Sequence, residues 1–156
     1  MNSSVSLTDL LNNNNFIVRP TVGVSMEPLL HENTTLVVIV KDYPKLKKGD
    51  IVLYQRANGN FVLHRIIRCG EEFLFIRGDN CYYLEKVYKS QIKGGVVQVY
   101  RNGKFFSVDK SFFYKIYKFY ILYSYPFRSA FYKLKNKSRG ALRRVKHFLR
   151  RFTNEK

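Results

Sequence analysis

With 156 residues the chain suits one domain and an appendage, and at 46% hydrophobic and 16% aromatic residues it is too rich in core-forming side chains to be disordered. Its formal net charge of +17 is unevenly spread: residues 1–100 hold 12 Lys/Arg against 9 Asp/Glu, and residues 101–156 hold 16 against 2. A mixed-charge domain is therefore followed by a basic segment, an asymmetry that calls for an anionic partner such as acidic lipid, nucleic acid or an acidic protein.

The opening "MNSSVSLTDLLNNNN" lacks the basic start and apolar run of a secretory signal. "SLTDLL" (6–11) predicts a short helix, ended by the Asn run at 12–15. "FIVRPTVGV" (16–24) reads as a strand interrupted by Pro20, which assigns it to a sheet edge. Five strand-like segments follow: "TTLVVIV" (34–40), "DIVLYQR" (50–56), "FVLHRIIR" (61–68), "EFLFIR" (72–77) and "VVQVYR" (96–101). Asn58-Gly59 signals a hairpin, Cys69-Gly70 and Gly94-Gly95 read as turns, and Asn102-Gly103 turns the chain into "KFFSV" (104–108). Short strands separated by Gly and Asn turns predict a mainly β core.

Beyond residue 110 the pattern changes. "KSFFYKIYKFYILYSYPF" is aromatic and basic and reads as helical up to Pro126, and "RGALRRVKHFLRRF" (139–152) has cleaner helical spacing. The expected organisation is a β domain over 1–109 and a basic, aromatic helical tail over 110–156. The longest charge-free stretch of the tail, "FYILYSYPF" (119–127), is shorter than the roughly 20 apolar residues of a membrane span. The expected location is cytoplasmic, or peripheral on the cytoplasmic membrane face.

Neither cysteine, Cys69 or Cys81, belongs to a CxxC pair or a Cys/His cluster at zinc spacing, so no metal or other cofactor is expected. A disulfide between them stays open, with free thiols in a reducing compartment as the plainer reading.

The chemistry turns on "GVSMEPLL" (23–30), where Ser25 stands among apolar neighbours. A serine hydroxyl is a poor nucleophile unless a base within reach takes its proton. Of three histidines, His31 lies in a polar turn and His147 in the basic tail. His64 differs, because strand alternation puts Val62, His64 and Ile66 on one face, where a buried imidazole must find partners. Periodicity alone favours a core or half-exposed histidine bonded to a backbone carbonyl. Asp79 in "FIRGDN" (75–80) is either an Asx-turn residue or a carboxylate at a strand end that orients a histidine or fixes the site's backbone, and Glu85 in "YYLEKV" is by itself an ordinary loop charge.

Taken in order, "GVSMEPLL", "KKGDIVLY", "VLHRII" and "IRGDN" resemble the type I signal peptidases and the wider LexA-like serine peptidase superfamily, over roughly residues 16–101. The endoplasmic-reticulum and archaeal type carries histidine where the usual bacterial enzymes carry lysine. The matching place here, directly before Arg65, is His64, 39 positions after Ser25.

The resemblance implies Ser25 as nucleophile, His64 as general base and then acid, and Asp79 as an important carboxylate with Glu85 as its rival or partner in orienting His64. It also implies an antiparallel β fold of signal-peptidase/LexA type with a shallow apolar groove for an extended peptide or preprotein segment. The Ser25 backbone N–H would help hold the oxyanion, Met26 would shape the groove, and Pro28 would stiffen the turn.

The chain offers no spanning helix before the serine. It therefore looks more like the small, span-free members of the superfamily, some of which are thought to mature short peptide precursors. LexA-type self-cleavage is disfavoured, since the base is not lysine and no DNA-binding domain precedes the serine.

The expected function is a serine endopeptidase cutting a signal or leader segment. The alternative is a peptide-binding, membrane or nucleic-acid adaptor that kept the fold without catalysis. For the tail the sequence suggests an anionic membrane surface as partner, while nucleic acid lacks any supporting motif. An unperturbed imidazole titrates near about 6.5, so the rate is expected to fall with pH through that range, and a flat acid limb down to about pH 5 would count against His64.

Overall fold

β-Branched and aromatic runs form strands wherever turn residues bound them. The computed structural model describes residues 7–43, 45–108 and 110–130. Helix α1 (Leu7–Asn14) is followed by β1 (Phe16–Pro20), β2 (Leu36–Val40), β3 (Ile51–Gln55), β4 (Phe61–Cys69), β5 (Phe73–Arg77), β6 (Glu85–Tyr88), β7 (Ile92–Arg101), β8 (Lys104–Ser107) and α2 (Phe112–Tyr123). Contacts divide the chain into two units, Met1–Leu122 and Tyr123–Lys156. In the second, residues 125–130 are helical, with Pro126 in the first turn, where its missing N–H breaks no bond. The helix expected to run to Pro126 thus breaks at Ser124 and restarts. The basic helix expected over 139–152, with His147, lies outside the described residues.

Among the described residues of the first unit, eight strands form one sheet, in the order β1-β2-β7-β3-β4-β5-β6, with β8 also paired to β7. Every pairing is antiparallel. As Pro20 suggested, β1 lies at an edge. Asn58-Gly59 lies in the β3–β4 hairpin, and Asn102 and Gly103 both have positive φ, as the tightest hairpin turn requires.

Two readings need correction. Gly94 and Gly95 do not form a turn but lie inside β7, at the point where it passes from pairing with β3 to pairing with β2. A Cβ at Gly94 would stand 2.5 Å from the Val40 carbonyl oxygen, so only glycine admits this close crossing. And "YYLEKV" is not all loop, since Glu85–Tyr88 pair with β5 as β6.

β3 is central and buried on both faces, so its alternate residues serve two cores. Ile51 and Leu53 join Met26, Leu30, Val37, Ile39 and Val99 on one side, while Val52 and Tyr54 join Ile66, Leu74, Ile76 and Val87 on the other.

Candidate active site

The loop between β1 and β2 carries Ser25. Thr21 fixes its base: the Thr21 N–H donates to the Thr35 carbonyl and the hydroxyl donates to the His31 carbonyl at 2.7 Å. Met26 and Leu30 are buried beneath the turn and anchor it in the core, leaving Ser25 half-buried above. From the far side the Gly78–Asn80 turn grips the same loop. The Asn80 N–H donates to the Ser25 carbonyl at 2.8 Å, and its side-chain amide donates to the Val24 carbonyl at 3.2 Å. A Cβ on Gly78 would lie 2.6 Å from the Ser25 carbonyl oxygen, 2.9 Å from Cys81 Sγ and 3.0 Å from His64 Nε2. The Ser25 backbone and the His64 ring therefore converge on one point, which stays open because residue 78 has no side chain.

His64 reaches that point by strand register. Val52 pairs with His64, and Tyr54, two residues on, shares its face. Across the sheet Ile66 pairs with Ile76, and Ile76 with Glu85, so Glu85 belongs to that face too. His64 Nδ1 accordingly lies 3.3 Å from both the Tyr54 hydroxyl and Glu85 Oε1. Tyr54 donates its single hydroxyl proton to Glu85 Oε2 at 2.9 Å. Its oxygen can then only accept from the imidazole, which puts the imidazole proton on Nδ1 and leaves Nε2 as an acceptor.

Arg56 closes the network with two bonds to Glu85, at 2.9 Å from Nε and 2.6 Å from the terminal nitrogen. Burial alone would raise the Glu85 pKa, but the bonds from Arg56 and Tyr54 outweigh it and hold the carboxyl below its ordinary range. Burial lowers His64 to about 4 against the opposing pull of Glu85, with Arg56 adding to the depression, so the ring is neutral at pH 7. Burial, with the neighbouring Glu85 charge, raises Tyr54 well above the ordinary phenol range.

Arg65 points to the opposite face and meets Asp79. Its Nε and a terminal nitrogen donate to the two carboxylate oxygens at 2.7 and 2.6 Å, and both side chains are wholly buried. The other terminal nitrogen donates to the Gly49 carbonyl and to the Tyr114 hydroxyl of α2, while Tyr117 of α2 donates to Asp79 at 3.1 Å. Burial works against the guanidinium charge, but Asp79 more than offsets it and keeps Arg65 protonated. The two candidate carboxylates thus serve different partners. Glu85 stands beside the imidazole, and Asp79 ties the Gly78–Asn80 turn to the sheet.

Ser25, Met26 and His64 line one groove of about 420 Å³ together with Thr21, Leu53, Leu63 and Tyr83. Along it Phe61–His64 of β4 pair with β3, and the pairing with β5 begins only at Arg65. Pro28, exposed after a cis Glu27–Pro28 bond, lines a different cavity. Both cysteines are free, Cys69 exposed and Cys81 half-buried beside the Gly78 turn, where burial raises its thiol pKa. Among the described residues no cluster of metal-ligating side chains occurs, and no helix is long and apolar enough to cross a membrane.

Tyr54, Arg56 and Tyr117 were not among the residues singled out from the sequence. The Asn58-Gly59 signal does not locate the first: a two-residue turn there would set Tyr54 opposite Leu63, whereas the loop spans Ala57–Gly59 and the resulting register pairs Tyr54 with Val62, diagonally across from His64. No protein-family model matches the chain, and no curated protein or solved structure matches it either.

Proposed function

We propose that the protein is a serine endopeptidase, similar in plan to the His-type signal peptidases, that cuts a signal or leader segment of a peptide or preprotein. The observation that carries this reading is the convergence of the Ser25 turn and the acceptor nitrogen of a buried, neutral His64 on one groove wall. An extended peptide adds to the Phe61–His64 edge of β4, with its side chains over Met26, Leu53 and Leu63. Ser25 attacks the scissile carbonyl while His64 Nε2 takes the hydroxyl proton. Glu85 and Tyr54 accept from Nδ1–H and steady the imidazolium until the proton passes to the leaving amine. Water then attacks the acyl-enzyme by the same proton path. Asp79 acts at one remove, holding the turn that grips the Ser25 loop.

The test is a library of leader-type peptides incubated with the native chain and with Ser25→Ala, read by mass spectrometry. Discrete cleavage by the native chain, reduced by about a thousandfold or more in Ser25→Ala, is expected. Cleavage that survives Ser25→Ala overturns the mechanism. Peptide binding with no cleavage by the native chain favours the adaptor reading instead.

A further inference from the structure

α2 is apolar on both sides. Tyr114 and Ile121 are buried. On the opposite side Phe112, Ile116 and Tyr120, four residues apart, form an outward stripe that is 70%, 54% and 55% exposed, and Phe113 beside it is 82% exposed. Lys115 and Lys118 lie between the two sides, and a continuous outward apolar stripe beside lysines is the pattern of a helix lying at a lipid surface, which scattered surface hydrophobics do not make.

The patch continues beyond the helix. Phe113 shares a cavity of about 480 Å³ with Phe105 and Phe106 of β8, and Arg101 and Lys104 stand in the same wall. Phe105 is 60% exposed. Neither α2 nor this cavity contains an acidic residue, and Lys115 flanks the stripe.

From this geometry we infer that the α2 stripe and the adjoining Phe105–Phe113 cavity form a docking surface for an anionic lipid bilayer. The aromatic and aliphatic side chains enter the headgroup boundary, the exposed Lys104 and Lys115 reach lipid phosphates, and Arg101, which donates to the Pro28 and Leu29 carbonyls, adds to the local positive field. Charge complementarity selects this occupant. A second copy of the chain would bring a net charge of +17 against +17. A nucleic acid would be held chiefly through its phosphates by many cations, whereas this surface is mostly aromatic and aliphatic, with Arg101, Lys104 and Lys115 as its few cations. The inference stands on α2 and β8 and is independent of the peptidase reading.

The chain contains no tryptophan, so Phe113→Trp supplies a single indole reporter in the full-length protein. It is mixed with vesicles of phosphatidylcholine, or of phosphatidylcholine and phosphatidylglycerol in equal parts, with and without brominated acyl chains. The expected result is a blue-shifted indole, quenched by brominated lipid, on the anionic vesicles alone. In the native chain, Phe112→Ser/Ile116→Ser should weaken sedimentation with anionic vesicles by about tenfold or more. Circular dichroism unchanged from the native chain checks that these exposed substitutions leave the fold intact.

An indole that stays water-exposed while the chain still sediments with vesicles overturns the inference, because another segment then makes the contact. Equal response to both vesicle types overturns the anionic preference. A blue shift produced instead by single-stranded oligonucleotide, or by raising protein concentration alone, assigns the patch to nucleic acid or to self-association and likewise overturns it.

Discussion

The two faces of β4 hold the same kind of pair in different states. On one, His64 meets Glu85, a carboxylate that keeps some contact with solvent and is shared among Arg56, Tyr54 and the imidazole. On the other, Arg65 meets Asp79, both wholly out of water, with α2 hydroxyls completing the shell. His64, as the proposed general base, would change charge and so needs partners that tolerate both states, and the first face has them. A group that fixes a loop needs a permanent charge pair with every bond satisfied, and the second face has that. One strand can supply both because its neighbouring residues, His64 and Arg65, point to opposite sides.

The largest effect expected from this contrast is on stability. Arg65→Leu leaves the Asp79 carboxylate buried and unpaired by its cation, and should cost about 3–5 kcal/mol in urea unfolding. Glu85→Gln, which keeps an acceptor near Tyr54 and lies partly in water, should cost about 1–2 kcal/mol at most. The double change Arg65→Leu/Asp79→Leu, which removes both charges, should recover part of the loss. Equal costs for Arg65→Leu and Glu85→Gln would erase the distinction between the faces.

Gly78→Ala should come next. Its methyl group would meet the Ser25 carbonyl, Cys81 Sγ and the His64 ring at once, and the carbonyl belongs to a backbone gripped by Asn80. Overpacking of this kind costs about 1–3 kcal/mol. If Ser25 is the nucleophile as proposed, cleavage of a leader peptide should fall by about tenfold or more, since displacement of its loop would move the attacking oxygen. Gly59→Ala provides the comparison, because a Cβ there meets nothing within 4 Å. Its positive φ of 84° costs stability, but cleavage should be preserved.

Much of this could be read from the residues. The strand runs fell where β-branched residues and Asn-Gly turns put them, Pro20 marked an edge, and alternation put His64 on a face that proves buried. What escaped depended on pairing across the sheet. Glu85 looked like a loop charge because "YYLEKV" shows no strict apolar/polar alternation, and its strand is defined by pairing with Phe73–Ile76. Its approach to His64 passes through Ile66 and Ile76 next to a bulge in β4, and a slip of one residue there would turn Glu85 to the other face. Gly94 and Gly95 misled for a related reason: glycine marks close backbone approach as readily as a turn, and only the crossing of β7 over Val40 tells the two apart.

The smallest effect, and the one that most sharpens the contrast, is in pH dependence. An ordinary imidazole would halve the rate near about pH 6.5. Burial moves His64 to about 4, so kcat/KM should stay flat down to about pH 5 and fall below it. A flat limb to about pH 5 is thus what a buried His64 requires, reversing the expectation for an unperturbed ring.

Stability follows the same sign. Between about pH 6.5 and 4 the unfolded chain takes up a proton that the folded ring refuses, so the contribution is whole above about 6.5 and is lost as pH falls toward 4. The neighbours should then split. Arg56 lowers the imidazole pKa and Glu85 raises it, so Arg56→Gln should move the limb up and Glu85→Gln should move it down. An NMR titration of the His64 ring measures both displacements without substrate. Displacements of the same sign would mean that the carboxylate charge does not reach Nδ1. The division of labour between Glu85 and Asp79 would then have to be redrawn with Asp79, on the far face of β4, as the group the imidazole senses.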